Sequence, residues 1–189
     1  MLVAPPSRAA DDDASQWRVL IEPIFMRPEL CAPIAHSEQT VLVPARWTGS
    51  DVVYFSKKEF AALGVDWDRF ATRARSGAAD ELAKLQPEFV RNKRKVIEYA
   101  VVTSSSPLTA AAVLAPDFLK TFEPVFGPKI LIAIPSRYCV FVFPQLAGEH
   151  RNYAPMVLDA FKATPYPVSR EVFELSAGGL KAVGVYEEP

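Results

Sequence analysis

Residues 129–143, KILIAIPSRYCVFVF, decide the fold of this chain. The two apolar runs within this stretch, 129–134 and 138–143, are rich in the branched and aromatic residues that strands favour. Both faces of each run are apolar, which is typical of central strands that are covered on both sides. Pro135-Ser136-Arg137 predicts a tight turn between them, because proline fixes φ at a value that turns use. We therefore expect a central β-hairpin.

More strand patterns lie on both sides of this hairpin. They are short runs of β-branched and aromatic residues that turn residues separate. Ala177-Gly178-Gly179 joins the last two runs and suits a second hairpin. The additional strands are expected within residues 41–44, 51–55, 88–103, 171–175 and 181–186.

A capping box marks the first helix. The hydroxyl of Ser56 is placed to accept from the amide of Glu59, whose carboxylate reaches back to Ser56. Gly64 suits a left-handed stop after this helix. Asp66 is expected to cap a second helix, because an apolar stripe of helical period follows it. The stripe consists of Trp67, Phe70, Ala71 and Ala74.

The later helices are expected to be short. Gly77 is expected to interrupt the stripe, so that a third helix with Leu82 and Leu85 follows. Ser106-Pro107 is typical of a helix start before the alanine-rich run 108–115. The remaining helical faces are Phe118, Phe122 and Val125 in one segment, and Tyr153, Val157, Ala160 and Phe161 within residues 153–163.

The order of elements is β, β, α, α, β, β, α, β, β, α, β, β. Paired strands separated by helices predict an α+β fold, with a mainly antiparallel sheet and helices packed on one face. A parallel βαβ sheet is the less favoured alternative. Residues 17–30 are apolar, but Pro23 and Pro28 argue against a continuous helix or a central strand. A short helix or an irregular packing segment is expected there.

Residues 1–15 are expected to form a flexible polar tail, because Asp11, Asp12 and Asp13 stand in a row. Residues 16–189 are expected to form a single α+β domain, since the chain is long enough for one sizeable core. No run approaches the roughly 20 apolar residues of a membrane helix, and the N-terminus lacks the pattern of a secretory signal. We therefore expect a cytoplasmic protein with no membrane partner.

Composition argues against several classes of function. The formal net charge is −1, so a general attraction to nucleic acid is not expected. Cys31 and Cys139 are far apart, and we expect both to be reduced and to pack as small hydrophobes. With His36 and His150 they lack the close spacing of a zinc site. We expect no metal and no cofactor, and the sequence has no glycine-rich phosphate loop.

The turn between the central strands holds the first candidate site. Arg137 has a planar guanidinium that suits a carboxylate or a phosphate. A nucleophilic Ser136 would need a base and an oxyanion site, and neither histidine stands in a recognisable relation to it. The plainer interpretation is a turn serine beside a surface arginine. Cys139 is interpreted as a core residue, although Arg137 lies two positions before it.

His36 and Arg46 are two further candidate binding residues. His36 has Glu38 two positions away, and a catalytic histidine usually has an acidic partner. Arg46 follows a predicted strand, and a pocket that gathers Arg137, His36 or Arg46 would indicate a binding site. An exposed loop histidine remains the plainer interpretation of His36 and of His150.

The basic turn at residues 91–95 is the last candidate site. Its cations are candidate nucleic-acid contacts, and Phe89 and Tyr99 are near enough in sequence to offer stacking surfaces. A solvated surface turn is the plainer interpretation, so nucleic acid is not the expected partner. The cations are Arg91, Lys93, Arg94 and Lys95.

The chain resembles the YtpQ-like family of uncharacterised bacterial proteins, mainly in its C-terminal half. The resemblance is carried by the strand running into Ala133-Ile134-Pro135-Ser136-Arg137, by the apolar strand after it, and by the helix leading to residues 164–169, TPYPVS. The segment from Phe60 to Leu82 is also similar. The resemblance implies an α+β fold and a cytoplasmic bacterial protein. It implies no activity.

Three functions remain open from the sequence. The favoured one is a non-catalytic binding or protein-interaction domain whose partner is another protein or a second copy of the chain. The absence of acid–base clusters and the aromatic content support it. The first alternative is a small hydrolase or transferase with a site near Ser136 and Arg137. The second is nucleic-acid contact through residues 91–95.

Overall fold

The computed structural model describes residues 14–145 and 149–187, and the predicted tail 1–15 lies almost wholly outside them. The described residues form an α+β fold with two antiparallel sheets, which confirms the predicted class. The strands are β1 (Trp17–Pro23), β2 (Ala32–Pro33), β3 (Thr40–Trp47), β4 (Val52–Tyr54), β5 (Glu88–Arg91), β6 (Ile97–Thr103), β7 (Ile130–Ser136), β8 (Cys139–Pro144), β9 (Glu171–Ser176) and β10 (Gly179–Val185). The α-helices are α1 (Lys57–Ala62), α2 (Trp67–Leu82), α3 (Phe118–Phe126) and α4 (Ala154–Lys162).

The predicted central hairpin lies in the middle of the larger sheet. This sheet has six strands in the order β10-β9-β7-β8-β6-β5, so β7 and β8 are its two central strands. Strand β7 continues to Ser136, and the tight turn is therefore at Arg137 and Tyr138, one residue later than expected. The pairing of β7 with β8 is irregular between Ala133 and Ser136. The hairpin prediction is confirmed.

Both faces of the hairpin are covered, as the continuous apolar pattern predicts. Ile130 and Ile132 of β7 belong to a buried cluster with Phe118 and Phe122 of α3. Leu131 alternates with them and packs on the other face, in a cluster with the buried residues of α4. The helices therefore cover both faces of the larger sheet rather than the one face expected.

The N-terminal segment corrects one expectation. Residues 17–23 form a fully buried strand, β1, that pairs with β3 along its whole length, so the expected short helix or irregular segment is wrong there. Pro23 is the last residue of the strand, where a missing amide donor is tolerated, and Pro28 lies outside it. Residues Ile24–Met26 form one turn of 3-10 helix.

Strand β1 belongs to a smaller sheet that the sequence did not predict as a separate unit. This four-stranded sheet has the order β1-β3-β2, with β4 also paired to β3. Ile21 of β1 and the nearby Ile34 are buried in the same cluster as Ile132 of β7. The two sheets therefore share a core. No helix in the parts of the chain described here is long and apolar enough to cross a bilayer.

Helix α2 runs through Gly77, so the predicted interruption and the separate third helix are both wrong. The capping predictions are confirmed: Ser56 and Glu59 form the capping box of α1, and the Asp66 carboxylate accepts from the amide of Arg69. Gly64 has the left-handed φ of 64° that was expected after α1.

Two details of the later helices also differ. The alanine-rich run contains a 3-10 helix, Ala110–Leu114, rather than an α-helix capped by Ser106. In α3 Val125 is exposed rather than part of the apolar face, and Phe126 takes the buried place beside Phe118 and Phe122. Helix α4 is confirmed at Ala154–Lys162.

Gly77 lies under the buried guanidinium of Arg18. A Cβ at this position would be 2.3 Å from Arg18 Nη1. Arg18 cannot easily move away, because Nη1 donates to the carbonyl oxygens of Ser15 at 2.6 Å and Trp17 at 2.8 Å. Burial lowers the pKa of Arg18, while the nearby carboxylates of Asp80 and Glu81 act in the opposite direction. Glycine is therefore required by the close approach of β1 to α2.

The substitution Gly77→Ala tests this packing. Alanine improves helix propensity by about 1 kcal/mol, but overpacking against a held side chain costs about 1–3 kcal/mol. The overpacking cost exceeds the gain, so we expect the free energy of unfolding to fall by up to about 2 kcal/mol in urea titrations.

The matched control is the same substitution in an Arg18→Met background. With the guanidinium gone, Gly77→Ala should become neutral or stabilising, because only the gain in helix propensity remains. An equal loss in both backgrounds would contradict the role of Arg18.

Candidate functional site

Arg137 is held in an ion pair that joins the two sheets. Its Nε lies 2.8 Å from Oε1 of Glu22 on β1, and the two side chains are 16% and 3% exposed. Its Nη2 donates to the hydroxyl of Tyr54 on β4. The guanidinium lies 5.8 Å from the centre of the Tyr54 ring and 5.4 Å from that of Tyr166. Arg137 is therefore a half-buried cross-link between the hairpin turn and the smaller sheet, not a free surface arginine.

The electrostatics of this group follow from its burial. Burial raises the pKa of Glu22, and the positive charge of Arg137 offsets part of that rise. Burial also raises the pKa of Tyr54 to about 12. For Arg137, burial acts to lower the pKa, but the attraction of the Glu22 carboxylate outweighs it and the pKa is raised. Arg137 is therefore charged at any physiological pH, and this charge is paired with the Glu22 carboxylate.

Ser136 is buried and serves the turn. Its Oγ accepts a hydrogen bond from the amide of Tyr138 at 3.2 Å. Among the residues that the structure describes, no histidine, lysine or carboxylate makes a hydrogen bond to this hydroxyl. A serine nucleophile needs such a base, so the geometry does not support the hydrolase alternative.

Neither partner of Arg137 was predicted from the sequence. Glu22 and Tyr54 lie on strands far from it in the sequence, and only the packing of the two sheets brings them to the turn. One signal was present: Glu22 is a charged residue inside an otherwise apolar run, and such a residue is rarely buried without a partner.

His36 borders a separate cleft. It is exposed, has a left-handed φ of 61°, and lines a cleft of about 480 Å³ with Glu38 and Lys181. Neither Arg137 nor Arg46 lines this cleft. The structure therefore does not place His36 in one cleft with Arg137 or Arg46.

Arg46 contacts a different set of residues from those around Arg137 and His36. Its Nη2 lies 3.6 Å from Oε1 of Glu59, and its guanidinium lies 5.1 Å from the centre of the Phe55 ring. It thus packs over the aromatic cluster beside α1.

Glu171 is a buried carboxylate beside the His36 cleft that was not predicted from the sequence. Its carboxylate is buried at the foot of the His36 cleft and has no cationic partner among the hydrogen bonds and ion pairs of the described residues. Five donors approach it instead. They are the hydroxyls of Ser37 and Thr40 at 2.7 Å each, the hydroxyl of Ser169 at 3.4 Å, and the amides of Glu38 at 2.8 Å and Gln39 at 3.3 Å.

This arrangement makes Glu171 a clamp between the sheets. It lies on β9 of the larger sheet, while Ser37 to Thr40 lead into β3 of the smaller one. Because a buried carboxylate costs a great deal unless it is hydrogen-bonded, five donors indicate a fixed structural role. The two amides meet Oε1 and the hydroxyls surround Oε2, so both carboxylate oxygens have hydrogen-bond partners.

The basic turn is exposed, as predicted, but its aromatic neighbours are not available. Phe89 packs against Phe122 and Phe126 on one side of the larger sheet. Tyr99 packs against Tyr153 on the other. Nucleic-acid surfaces pair cations with exposed stacking rings, so this geometry does not support the nucleic-acid alternative. The exposed cations are Arg91, Lys93, Arg94 and Lys95.

The cysteines divide between surface and core. Cys139 is half-buried, and burial raises the pKa of its thiol to about 11, so it stays protonated at neutral pH. Cys31 is exposed, so its expected role as a packed hydrophobe is wrong. In the described part of the chain no group of three or more His, Cys, Asp or Glu side chains is placed to hold a metal ion.

The most unusual surface is the apolar turn Ile24–Met26. Its three side chains are 50%, 60% and 55% exposed in chain order. A cleft of about 420 Å³ lies beside it, lined by Ile24 and Phe25 and, from other elements, by Phe161 and Val168. Exposed large apolar residues that adjoin a cleft are typical of interaction sites.

Comparison with protein-family models, with curated proteins and with solved structures finds no match to this chain. The resemblance to the YtpQ-like family therefore stays a prediction.

The substitution Arg137→Met tests the ion pair, because it keeps an apolar stem and leaves Glu22 buried without a cation. Breaking a buried pair typically costs about 3–5 kcal/mol, and we expect a loss of this size at neutral pH in urea unfolding.

This loss should depend on pH. The folded-state pKa of Glu22 is raised by burial and rises further without Arg137, so protonation stabilises the folded variant. The variant's deficit should be smallest below the unfolded-state pKa of about 4.3 and should grow as pH rises through the folded-state pKa. The double variant Glu22→Gln/Arg137→Met should lose this dependence. A deficit that stays constant with pH would contradict the assignment.

Glu171→Gln tests the clamp. A glutamine amide offers one acceptor oxygen in place of two, so donors around it lose their partner. We expect a loss of about 1–3 kcal/mol in the free energy of unfolding and faster amide hydrogen exchange at residues 38 and 39.

Glu38→Gln is the matched control for the clamp, because this exposed side chain lies in the same loop. Its effect should stay within about 0.5 kcal/mol. Equal effects of the two substitutions would rule out a special role for the Glu171 carboxylate.

Proposed function

We propose that this protein is a non-catalytic interaction domain that associates with a second copy of itself through the apolar turn Ile24–Met26. The observation that carries the proposal is the exposure of three successive large apolar side chains, at 50%, 60% and 55%. Single exposed apolar residues are common on protein surfaces, but a contiguous group beside a cleft favours a buried state in a complex.

The apolar turn is held in place before any partner binds. The amide of Ile24 donates to the carbonyl of Gln39 on the neighbouring loop at 2.8 Å. The amide of Arg27 closes the turn onto the carbonyl of Ile24 at 3.0 Å, and Arg27 itself has a left-handed φ of 49°. A surface that is already ordered loses less conformational entropy on association, so its apolar area contributes more to affinity.

The cleft beside the turn supplies the complementary half. The half-buried Phe161 and the buried Val168 line this cleft beside Ile24 and Phe25. In a twofold dimer the same patch faces itself, so each copy presents both a turn and a cleft to the other. A patch that contains a protrusion next to a depression suits this arrangement.

The charges around the patch favour a like partner. Arg27 follows the turn and Arg170 lines the cleft, while Glu29 and Glu38 supply the opposite sign nearby. A patch of one sign would repel its own copy, whereas a balanced rim allows opposite charges to meet across a twofold axis. The rim therefore supports self-association over capture of a strongly charged partner.

Phe25→Asp tests the proposal directly. We expect the wild-type protein to show a concentration-dependent rise from monomer to dimer mass in sedimentation velocity. The variant should stay monomeric at the same concentrations, because a carboxylate at the centre of the interface would be buried without a partner.

Val96→Asp is the matched control. Val96 is 58% exposed on the basic turn, so it introduces the same charge at a similarly exposed apolar site outside the patch. It should dimerise like the wild type. A wild-type protein that is monomeric up to high concentration, or a Phe25→Asp variant that still dimerises, would refute the proposal.

A cytoplasmic location is part of the same proposal. Cys31 and Cys139 are both free, and thiols persist in a reducing compartment. The bacterial source implied by the YtpQ-like resemblance stays a prediction.

A further inference from the structure

A second apolar depression lies between four elements of the fold. The 3-10 helix Ala110–Leu114 forms its base, α3 forms one wall, the turn between β9 and β10 forms another, and α2 reaches its rim. Its volume is about 520 Å³, within the range of small-molecule sites. We call it the leucine groove after the four residues on its surface, Leu114, Leu119, Leu175 and Leu180.

The floor of the groove is rigid and aliphatic. All four leucines are half-buried and pack against the main core cluster, so their inner sides are fixed while their outer sides face the groove. Val113, Ala115, Pro116 and Pro128 extend the apolar lining. None of the described residues that line the groove is aromatic, so the surface offers no ring on which a planar ligand would stack. An aliphatic chain fits this surface better.

The rim carries one uncompensated cation. Lys120 lies at the rim, but its Nζ is paired with Oδ1 of Asp117 at 2.7 Å. Arg75 of α2 also lines the groove, and its side chain has no hydrogen bond or ion pair within the residues described. Glu123 is the only acidic residue in the described lining. A free guanidinium next to an apolar floor is complementary to an amphipathic anion.

We propose that the leucine groove binds an amphipathic monoanion with an unbranched aliphatic chain, such as a medium-chain carboxylate. The chain lies along the four leucines, and the carboxylate accepts hydrogen bonds from Arg75. Among the described residues, the groove shares none with the cleft beside the apolar turn, so this inference does not depend on the proposed self-association.

The first test is a titration of isotopically labelled protein with hexanoate, octanoate and decanoate, each kept below its micelle concentration and followed by amide and methyl chemical shifts. Each added methylene that becomes buried should tighten binding about three- to fourfold. The largest shifts should fall on the four leucines. Decylamine should bind at least tenfold more weakly than decanoate, because its ammonium would face Arg75.

The second test separates the charge from the chain. Arg75→Gln should weaken decanoate binding about tenfold and leave decanol binding unchanged. Arg69→Gln is the matched control, because Arg69 is an exposed arginine of the same helix that does not line the groove. Leu119→Glu should abolish binding of every ligand in the series, and thermal unfolding should show that the variant is folded.

Several outcomes would overturn the inference. They are the absence of saturable decanoate binding, affinities that do not change with chain length, equal affinities for decanoate and decylamine, and equal effects of Arg75→Gln and Arg69→Gln. Shifts confined to the apolar turn Ile24–Met26 would also overturn it, since they would place the ligand at the other surface.

Discussion

Burial of β7 and β8 on both faces is the constraint from which the arrangement of the other elements follows. The backbone and side chains of these strands cannot be exposed to water. Strand β9 therefore pairs with the free edge of β7, β6 pairs with that of β8, and helices cover both faces. Helix α3 covers one face through Phe118 and Phe122, and α4 covers the other through Val157 and Leu158. The smaller sheet then closes the core through Ile21.

Buried charges hold the smaller sheet against this core. The ion pair of Glu22 with Arg137 joins β1 to the central hairpin turn, and the donors around Glu171 join β9 to the loop before β3. The guanidinium of Arg18 seats β1 on α2 at Gly77. Burying each of these charges without its partners would cost free energy. The sheets must therefore pack so that each charge contacts its partners. Arg137 and Glu171 are residue types that are common in active sites, but here their side chains hold the two sheets together.

These structural roles limit what the same residues can do in function. When Ser136, Arg137 and Glu171 are occupied by internal partners, chemistry at these positions has little support, and the surfaces become the informative part of the molecule. The apolar turn Ile24–Met26 and the leucine groove are formed by different elements, so association and ligand binding are separable properties. Both rest on rigid surroundings: the turn is closed by backbone hydrogen bonds, and the groove has a floor fixed by the core.

Local chemistry determined a large part of this structure. The central hairpin, the capping box of Ser56 and Glu59, the cap at Asp66 and the final hairpin were all predictable, because each depends on residues close together in the chain. Tertiary structure alone decided that β1 is a buried strand despite its prolines, that α2 continues through Gly77, and that Arg137 meets Glu22. These outcomes depend on contacts between distant segments. A local sequence pattern indicates the structural propensity of one segment. The partner of a buried charge, or the side chain that packs over a glycine, is determined only when distant segments pack together.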